Sequence, residues 1–285
     1  MKIILSRKGY DTGFGGVPSP ILPDGSLISI PIPSRHSSIR YEDINHAGYN
    51  LGNIVASLTN GSVCASFGAH LDPDFCTTCL PRKAGWKPLF GQVGAAQGHL
   101  RRQGIQSGDL FLFFGLFQNV VIRKKTIEIE RGTKPIHAIW GWLLVDRIDP
   151  VDSAERKRLP WAVYHPHFQW PPNKTNTVYI GKPRLAIDGL DLPSVLGGGR
   201  FTHFNAALRL TAKGSSRRSD WALPTWFAPC SGRPALTYHA DSRRWERCGD
   251  HVLLRSVGRG QEFVFDTEYY PEALAWVSEL IRTQN

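Results

Sequence analysis

Cysteine is scarce in this sequence: five residues in a chain of 285, and an odd number. That count argues against a secreted disulfide scaffold, which pairs its cysteines to staple a small, loop-rich domain. No apolar run of about 18 residues occurs, and no short apolar run flanked by Lys or Arg opens the chain. Neither a membrane-spanning helix nor a secretory leader is expected, so the expected location is cytoplasmic, with no membrane partner. Acidic residues are also in deficit, 24 against 34 Lys and Arg, which leaves a net charge of +10 and a pI near 9.6.

Several chemical signatures are absent as well. There is no Gly-x-Ser-x-Gly elbow, which argues against an α/β-hydrolase. The phosphate loop ending in Gly-Lys-Ser/Thr, the dinucleotide fingerprint and the kinase set are missing. So is the His-x-Glu with Pro-Cys-x-x-Cys pattern of the zinc deaminases. Cys76-x-x-Cys79 is half of a zinc knuckle whose second half is lacking, because Cys230 and Cys248 are too far apart in sequence.

The positive charge that is present comes in short clusters: Arg101-Arg102, Arg123-Lys124-Lys125, Arg156-Lys157-Arg158, Arg217-Arg218 and Arg243-Arg244. That distribution suits a polyanionic partner, most simply the phosphates of DNA. The bland alternative is solvated surface charge. Nine tryptophans and fourteen phenylalanines lie among these clusters, most of them core material and a few available to stack on bases or sugars.

The patterning predicts a mixed α+β fold with a largely β-sheet core and flanking helices, in one domain spanning 1–285. Lys2–Ser6 reads as a buried strand, and Leu27–Ile32 as an edge strand because Pro31 cannot donate to a ladder. Together they suggest an opening hairpin. Gly108–Phe114, Thr126–Glu130, His137–Asp146, Val178–Ile180 and Gln261–Asp266 read as strands. Helices are expected over Ile44–Leu58, Gln92–Gln103 and Pro271–Ile281, the last with Pro in its first turn and Leu274, Val277 and Ile281 on one face. Gly197-Gly-Gly199 reads as a turn, and 147–177, rich in proline, charge and aromatics, as a lid or insertion.

Chemistry concentrates in Phe67-Gly-Ala-His-Leu-Asp-Pro-Asp74 and Phe90-Gly-Gln-Val-Gly-Ala-Ala-Gln-Gly-His99. His70, Asp72 and Asp74, followed by Gln92, Gln97 and His99, are poor core material, since a buried carboxylate must be paired or it is costly. Asp72 and Asp74 flank a proline; if they share one site, only one ionises easily, which suits a general acid or base. The plain alternative is a capping Asp beside a solvated one. His70, His99, His165 and His167 supply metal-ligand types, but spacing alone shows no complete ligand set, so chemistry without metal or cofactor is the expectation. Arg7, Lys8 and Asp11 leave the first strand, and Gly13–Gly16 behind them would let backbone amides approach a phosphate.

The opening Met1-Lys-Ile-Ile-Leu-Ser-Arg-Lys-Gly-Tyr-Asp11, the Gly15–Gly25 stretch, His70-Leu-Asp-Pro-Asp74, Gly91-Gln-x-Gly-Ala-Ala-Gln-Gly-His-Leu100, Gly108-Asp-Leu-Phe-Leu-Phe-Phe114 and Ile139-Trp-Gly-Trp-Leu-Leu-Val145 together resemble the bacterial and phage family called nucleotide modification associated domain 3. The likeness runs nearly end to end. It implies an association with hypermodified DNA bases, and a DNA glycosylase that removes glucosylated hydroxymethylcytosine from phage genomes as antiviral defence. A shorter likeness, to PUA-like and EVE-like barrels that hold modified bases, covers Gly108–Asp146.

The expected function is therefore excision of a hypermodified base flipped out of DNA. Asp72 or Asp74, with Asp11 as a third candidate, would stabilise the oxocarbenium-like sugar, and His70 or His99 would protonate the leaving base. Trp86, Trp140 and Trp142 are candidates for stacking, Gln92, Gln97 and His99 for polar edges. Arg7, Lys8, Arg101, Arg102, Arg156, Lys157 and Arg158 are candidates for phosphate contact; Lys8 is also a candidate for Schiff-base chemistry. The alternatives are a non-catalytic reader of modified bases and a metal-dependent nuclease acting on modified DNA.

Overall fold

Two long neighbouring strands, Leu110–Arg123 and Ile136–Pro150, form the spine of the molecule. They are seen in a computed structural model of the chain, which describes residues 1–282 other than 47, 125, 188, 189 and 259. Lys125, one of the basic residues singled out above, lies outside the described residues. Residues 110–117 and 136–145 are buried without interruption. A strand covered on both faces reads as a continuous apolar run rather than as an alternation. Phe111 and Phe113 turn one way, against Phe90; Phe114 turns the other, against Trp221 and Phe263.

The fold is α+β and mostly sheet. Its hydrogen-bonded path runs Glu262–Asp266, Lys2–Arg7, Leu110–Arg123, Ile136–Pro150, Thr177–Gly181 and Leu89–Gln92. Lys2–Arg7 lies parallel to residues 110–114 and antiparallel to Glu262–Asp266. Ser19–Ile21 and Thr126–Ile129 pair with the first long strand, and Gly198–Arg200 with the second. A separate sheet of Asp220–Pro224, His251–Arg255 and Trp245–Cys248 brings Trp221 onto the Phe114 face. The last helix, Glu272–Arg282, buries Ala273, Val277, Leu280 and Ile281 in the main core. No helix among the described residues is long and apolar enough to cross a membrane.

The two ends of the sheet path return towards each other. Gln92 Nε2 donates to Glu262 Oε1 at 2.6 Å, and the Lys8 ammonium lies 4.9 Å from the centre of the Phe90 ring. No ladder joins those end strands among the described residues, so the sheet curls without closing. This corrects the expected PUA-like barrel over 108–146: those residues supply the two central strands of an open sheet. A register shift, in which Phe113 faces Gly141 but Phe114 faces Ile139, leaves Trp140 as the extra residue of a bulge.

Other expectations are corrected too. Leu27, Ile28 and Ile30 are buried, but Leu27–Ile32 carries only an isolated bridge, and Lys2–Arg7 takes its partners from distant chain instead of from a hairpin. The expected helix over Ile44–Leu58 shortens to Leu51–Leu58. Gly197–Gly199 is not a turn: Gly198–Arg200 is a strand, and a Cβ on Gly199 would sit 2.4 Å from the Trp142 ring. The glycine is there for close approach. Within 147–177, the short helices Ser153–Arg158 and Pro166–Gln169 bring Val151, Leu159, Trp161 and Phe168 into a core of their own with Leu89, Val178 and Ile180.

Candidate active site

The unclosed side of the curled sheet is where the polar residues gather. A cleft of about 500 Å³ opens there, lined by Arg7, Lys8, Asp11, Phe14, His70, Asp72, Gly91, Gln92, His167, Trp170 and Gln261. Lys8 leaves the end of the first strand, and Gln92 the end of the edge strand Leu89–Gln92. His70 and Asp72 come from a stretch outside any strand, in which the Asp72 N–H donates to the His70 carbonyl at 2.7 Å. Leu71 turns away from them into a second apolar core.

Asp72 forms the floor. The Gly91 N–H donates to its Oδ1 at 2.7 Å. His165 Nε2 lies 3.2 Å from Oδ1, while His167 Nε2 and His70 Nε2 lie 3.5 and 3.8 Å from Oδ2. Pro166 explains how two rings reach one carboxylate. It occupies the first helical position of Pro166–Gln169 and holds His165 extended, at φ −67° and ψ 138°. Gly91 makes the room, because a Cβ there would sit 2.3 Å from the His167 ring.

Burial alone would raise the Asp72 carboxyl; His165 and His167 beside it hold it well below its usual range instead. Burial lowers the His70 imidazole to about 4 against the pull of Asp72. The His165 ring is fully buried; its Nε2 faces Asp72 Oδ1 at 3.2 Å, and its Nδ1 has no hydrogen-bond partner. Asn176 orients His167: its Nδ2 donates to the His167 carbonyl at 2.7 Å, which leaves Oδ1 facing His167 Nδ1 at 2.5 Å. Trp170 stacks on His70, with ring centres 5.1 Å apart.

Beside this floor stands Lys8, ion-paired to Glu262 at 2.8 Å. Glu262 is buried, and its Oε2 has no partner. At the rim, Asp11 Oδ1 accepts from the N–H groups of Gly13 and Phe14 at 2.7 and 2.8 Å, which shapes the glycine-rich loop. Arg7 donates to the carbonyls of Val257 and Gly258.

Six of the sequence candidates thus meet at one cleft: Arg7, Lys8, Asp11, His70, Asp72 and Gln92. The others lie elsewhere. Asp74 does not line this cleft: with Asp72 and Trp140 it borders a separate cavity of about 40 Å³. Arg82 grips it with two hydrogen bonds of 2.6 and 2.7 Å, to which the Tyr164 hydroxyl adds a third at 2.6 Å. Trp86 is no stacking platform in the cleft: it packs on the Arg82 guanidinium and donates to Tyr164. Trp140 and Trp142 are buried in the main core. Gln97 accepts from the buried Tyr179 hydroxyl, and His99 packs on Tyr238, so neither lines the cleft. Arg101 and Arg102 are exposed at the end of the helix Gly94–Arg102. Arg156 donates to the Trp170 carbonyl, Lys157 is exposed, and Arg158 pairs with Glu155. Cys76 and Cys79 are bonded to each other and leave no half-knuckle.

Sequence reasoning did not assign Trp170 or Asn176 to this site, weighed His165 and His167 only as metal-ligand types, and held Glu262 only as a fallback carboxylate. The run His165-Pro-His167-Phe-Gln-Trp170 carried the signal, three aromatic nitrogen rings around a proline in a polar segment, but only the fold shows that it turns back onto Asp72. His70, Asp72 and His167 lie close enough, all ligand atoms within 4.8 Å of one another, to hold a metal ion.

No curated protein and no solved structure matches the chain. The family model described as nucleotide modification associated domain 3 matches residues 2–266, which include every residue lining the cleft. With nearly the whole chain covered, this protein belongs to the nucleotide modification associated domain 3 family.

Proposed function

We propose that this protein hydrolyses the N-glycosidic bond of a hypermodified base, of the glucosylated hydroxymethylcytosine kind, flipped out of phage DNA, and so serves antiviral defence. One observation carries the reading. An ionised, buried carboxylate, Asp72, forms the floor of a cleft of about 500 Å³ in a chain of a family associated with nucleotide modification. That volume falls in the range that holds a drug-sized ligand, so it has room for a base with an attached sugar.

The chemistry follows from the positions. Flipping brings the base out of the stack, where its glycosidic bond is otherwise out of reach. Trp170 offers a ring to stack on, and Gln92 and Asp11 offer polar contacts to a base edge or a sugar hydroxyl. As the bond breaks, positive charge grows on the sugar, and the Asp72 carboxylate stabilises it. A water held at this floor attacks C1′, and its oxygen bonds to the sugar as the bond to the base breaks. The proton it gives up to solvent is matched by one that the leaving base takes from solvent, with Lys8 positioned to supply a hydrogen bond to that base.

The test is incubation with glucosylated phage DNA and with unmodified DNA, analysed by mass spectrometry for free base and abasic sites, with and without EDTA. Free modified base and abasic sites from the glucosylated DNA only are the expected result. A second reading, a metal-dependent nuclease, is favoured by the ligand spacing of His70, Asp72 and His167. It predicts strand breaks without free base, abolished by EDTA. Binding to modified DNA with neither product would identify a non-catalytic reader.

A further inference from the structure

We infer that His70, Asp72 and His167 form a binding site for one divalent first-row transition-metal ion, zinc in the first instance, on the floor of the cleft. This replaces the sequence expectation of metal-free chemistry. It rests on the glycosylase reading only for the role of the ion, which would be to hold the water that attacks the sugar. The binding itself rests on geometry.

The spacing of the three side chains suits one ion. A tetrahedral zinc with bonds of about 2.1 Å keeps its ligands about 3.4 Å apart. Asp72 Oδ2 lies 3.5 Å from His167 Nε2 and 3.8 Å from His70 Nε2, and no pair among the three exceeds 4.8 Å. Small side-chain shifts bring all three onto one ion. Two imidazoles and a carboxylate, without thiolate, are a donor set for a divalent first-row metal.

Asn176 fixes the tautomer of His167. Asn176 uses its amide N–H on the His167 carbonyl, so its oxygen must face Nδ1, and Nδ1 must carry the hydrogen. With the hydrogen held on Nδ1, Nε2, which faces Asp72 Oδ2 at 3.5 Å, is the nitrogen placed to ligate an ion. An amide or carbonyl holding the far nitrogen is also how proteins commonly orient a metal-bound histidine.

The carboxylate is set up to offer one oxygen. The Gly91 N–H holds Oδ1 and leaves Oδ2 towards His70 and His167. His165, fully buried with its Nε2 3.2 Å from Oδ1 and its Nδ1 without a hydrogen-bond partner, stands behind that oxygen as an outer support or a fourth ligand. His70, Asp72 and His167 all line the cleft, so an ion there keeps a coordination position open to water or substrate, as catalytic sites do.

The experiment uses the full chain, stripped with a chelator, dialysed and titrated calorimetrically with Zn²⁺ and with Co²⁺. Saturable binding of one ion per chain is expected, with a Co²⁺ visible spectrum free of thiolate charge-transfer bands. His70→Gln and His167→Gln should each weaken binding by about a hundredfold or more, and Asn176→Ala by about tenfold, since even outer-shell partners of a metal site are worth ten- to a hundredfold. His36→Ala, at an exposed position, should leave it unchanged. As a readout independent of variants, histidine ¹H–¹⁵N spectra of the wild type should show Zn²⁺ moving the Nε2 resonances of two rings. No saturable binding, no shifted Nε2, or unaltered affinity in folded His70→Gln and His167→Gln would overturn the inference. Base release is scored on separate samples, with stripped and zinc-loaded protein, so the metal site and the glycosylase reading fail independently.

Discussion

The protein buries two sets of histidines, and their surroundings are opposite. His46, His137 and His239 each present a ring nitrogen to a donor: Arg200 Nη1 at 2.5 Å, the Trp221 indole N–H at 3.0 Å and the Val257 N–H at 3.2 Å. Burial disfavours the charged ring, and nearby arginines add to it, so these imidazoles are pushed down to about 3, 3 and 4. His70, His165 and His167 instead turn ring nitrogens towards a carboxylate, Asp72, at the floor of a cleft. The first set is locked neutral and serves packing. The second surrounds a negative charge and leaves donor or ligand capacity over. The same contrast separates Asp72 from Asp74, two positions on, whose oxygens are taken up by Arg82 and Tyr164. Burial of a titratable group therefore does not mark a reactive site; incomplete pairing beside an open cleft does.

The strongest way to break this comparison is to remove each carboxylate's charge in turn. Asp72→Asn should lower base release by at least about a hundredfold, the usual scale for losing an acid/base or charge-stabilising group, with little change in melting temperature. Asp74→Asn should do the reverse. It strands the Arg82 charge in a buried place, a change worth about 3–5 kcal/mol of stability, while turnover per folded molecule is retained. Melting curves and base-release rates on the two variants decide it. If Asp74→Asn is the inactive one and Asp72→Asn merely unstable, the division is inverted and the site is misplaced.

A smaller change asks whether the histidine set must be placed closely. Gly91→Ala puts a Cβ where the His167 ring now lies, 2.3 Å from the nearest ring carbon, so the ring must shift from Asp72. A misplacement on the order of 1 Å at a reacting group costs about a hundredfold in rate. Base release should fall towards that limit while DNA affinity, dominated by phosphate contacts, holds. A fully active Gly91→Ala would show that His167 needs no fixed place.

The neutral set makes its own prediction, in acid. Each of its rings has a folded pKa below the ordinary 6.5, so the stability it contributes is complete above that pH and is lost as pH falls towards 3–4. Urea midpoints should be flat from pH 8 to 7 and decline below about 6.5. His137→Gln, which keeps an acceptor for Trp221 but cannot titrate, should make that decline shallower. An equal decline in wild type and variant would remove His137 from the neutral set.

Much of this architecture was legible from sequence, and the part that was not has a common cause. The strands at Lys2–Arg7, Leu110–Arg123, Ile136–Pro150 and Glu262–Asp266 announce themselves because a strand covered on both faces needs an unbroken apolar run. His70 and Asp72 stood out because polar side chains among glycines and a proline are poor core. What sequence spacing could not carry is which distant segments meet. His167 and Trp170 lie about a hundred positions from Asp72, and Glu262 far from Lys8, and a curled sheet brings each pair together. Trp140 and Trp142 misled for the reverse reason. An aromatic side chain in a strand looks the same whether it faces solvent, a ligand or the core, and here the bulge and Gly199 fold both inward.

The smallest expected effect concerns the surface, where the comparison becomes one between arginines. Arg158 is exposed but ion-paired to Glu155, which also pairs with Arg147. Arg218 lines a pocket of about 230 Å³ with Arg7, Lys8 and Asp11, three residues that it shares with the main cleft. A phosphate flanking a flipped base would fall in such an adjoining basic pocket. Each cation that neutralises a phosphate contributes about 0.9 to the slope of log affinity against log salt. Arg218→Ala should therefore reduce the slope by about that amount, and Arg158→Ala should leave it unchanged because its charge is already satisfied by Glu155. On the proposed function, both variants should keep the preference for modified over unmodified DNA, since phosphate contacts carry no base information. Fluorescence anisotropy over a salt series reads the slope directly. An Arg218→Ala slope equal to wild type, or a loss as large in Arg158→Ala, would show that DNA approaches along the 151–176 segment rather than past Arg7 and Arg218.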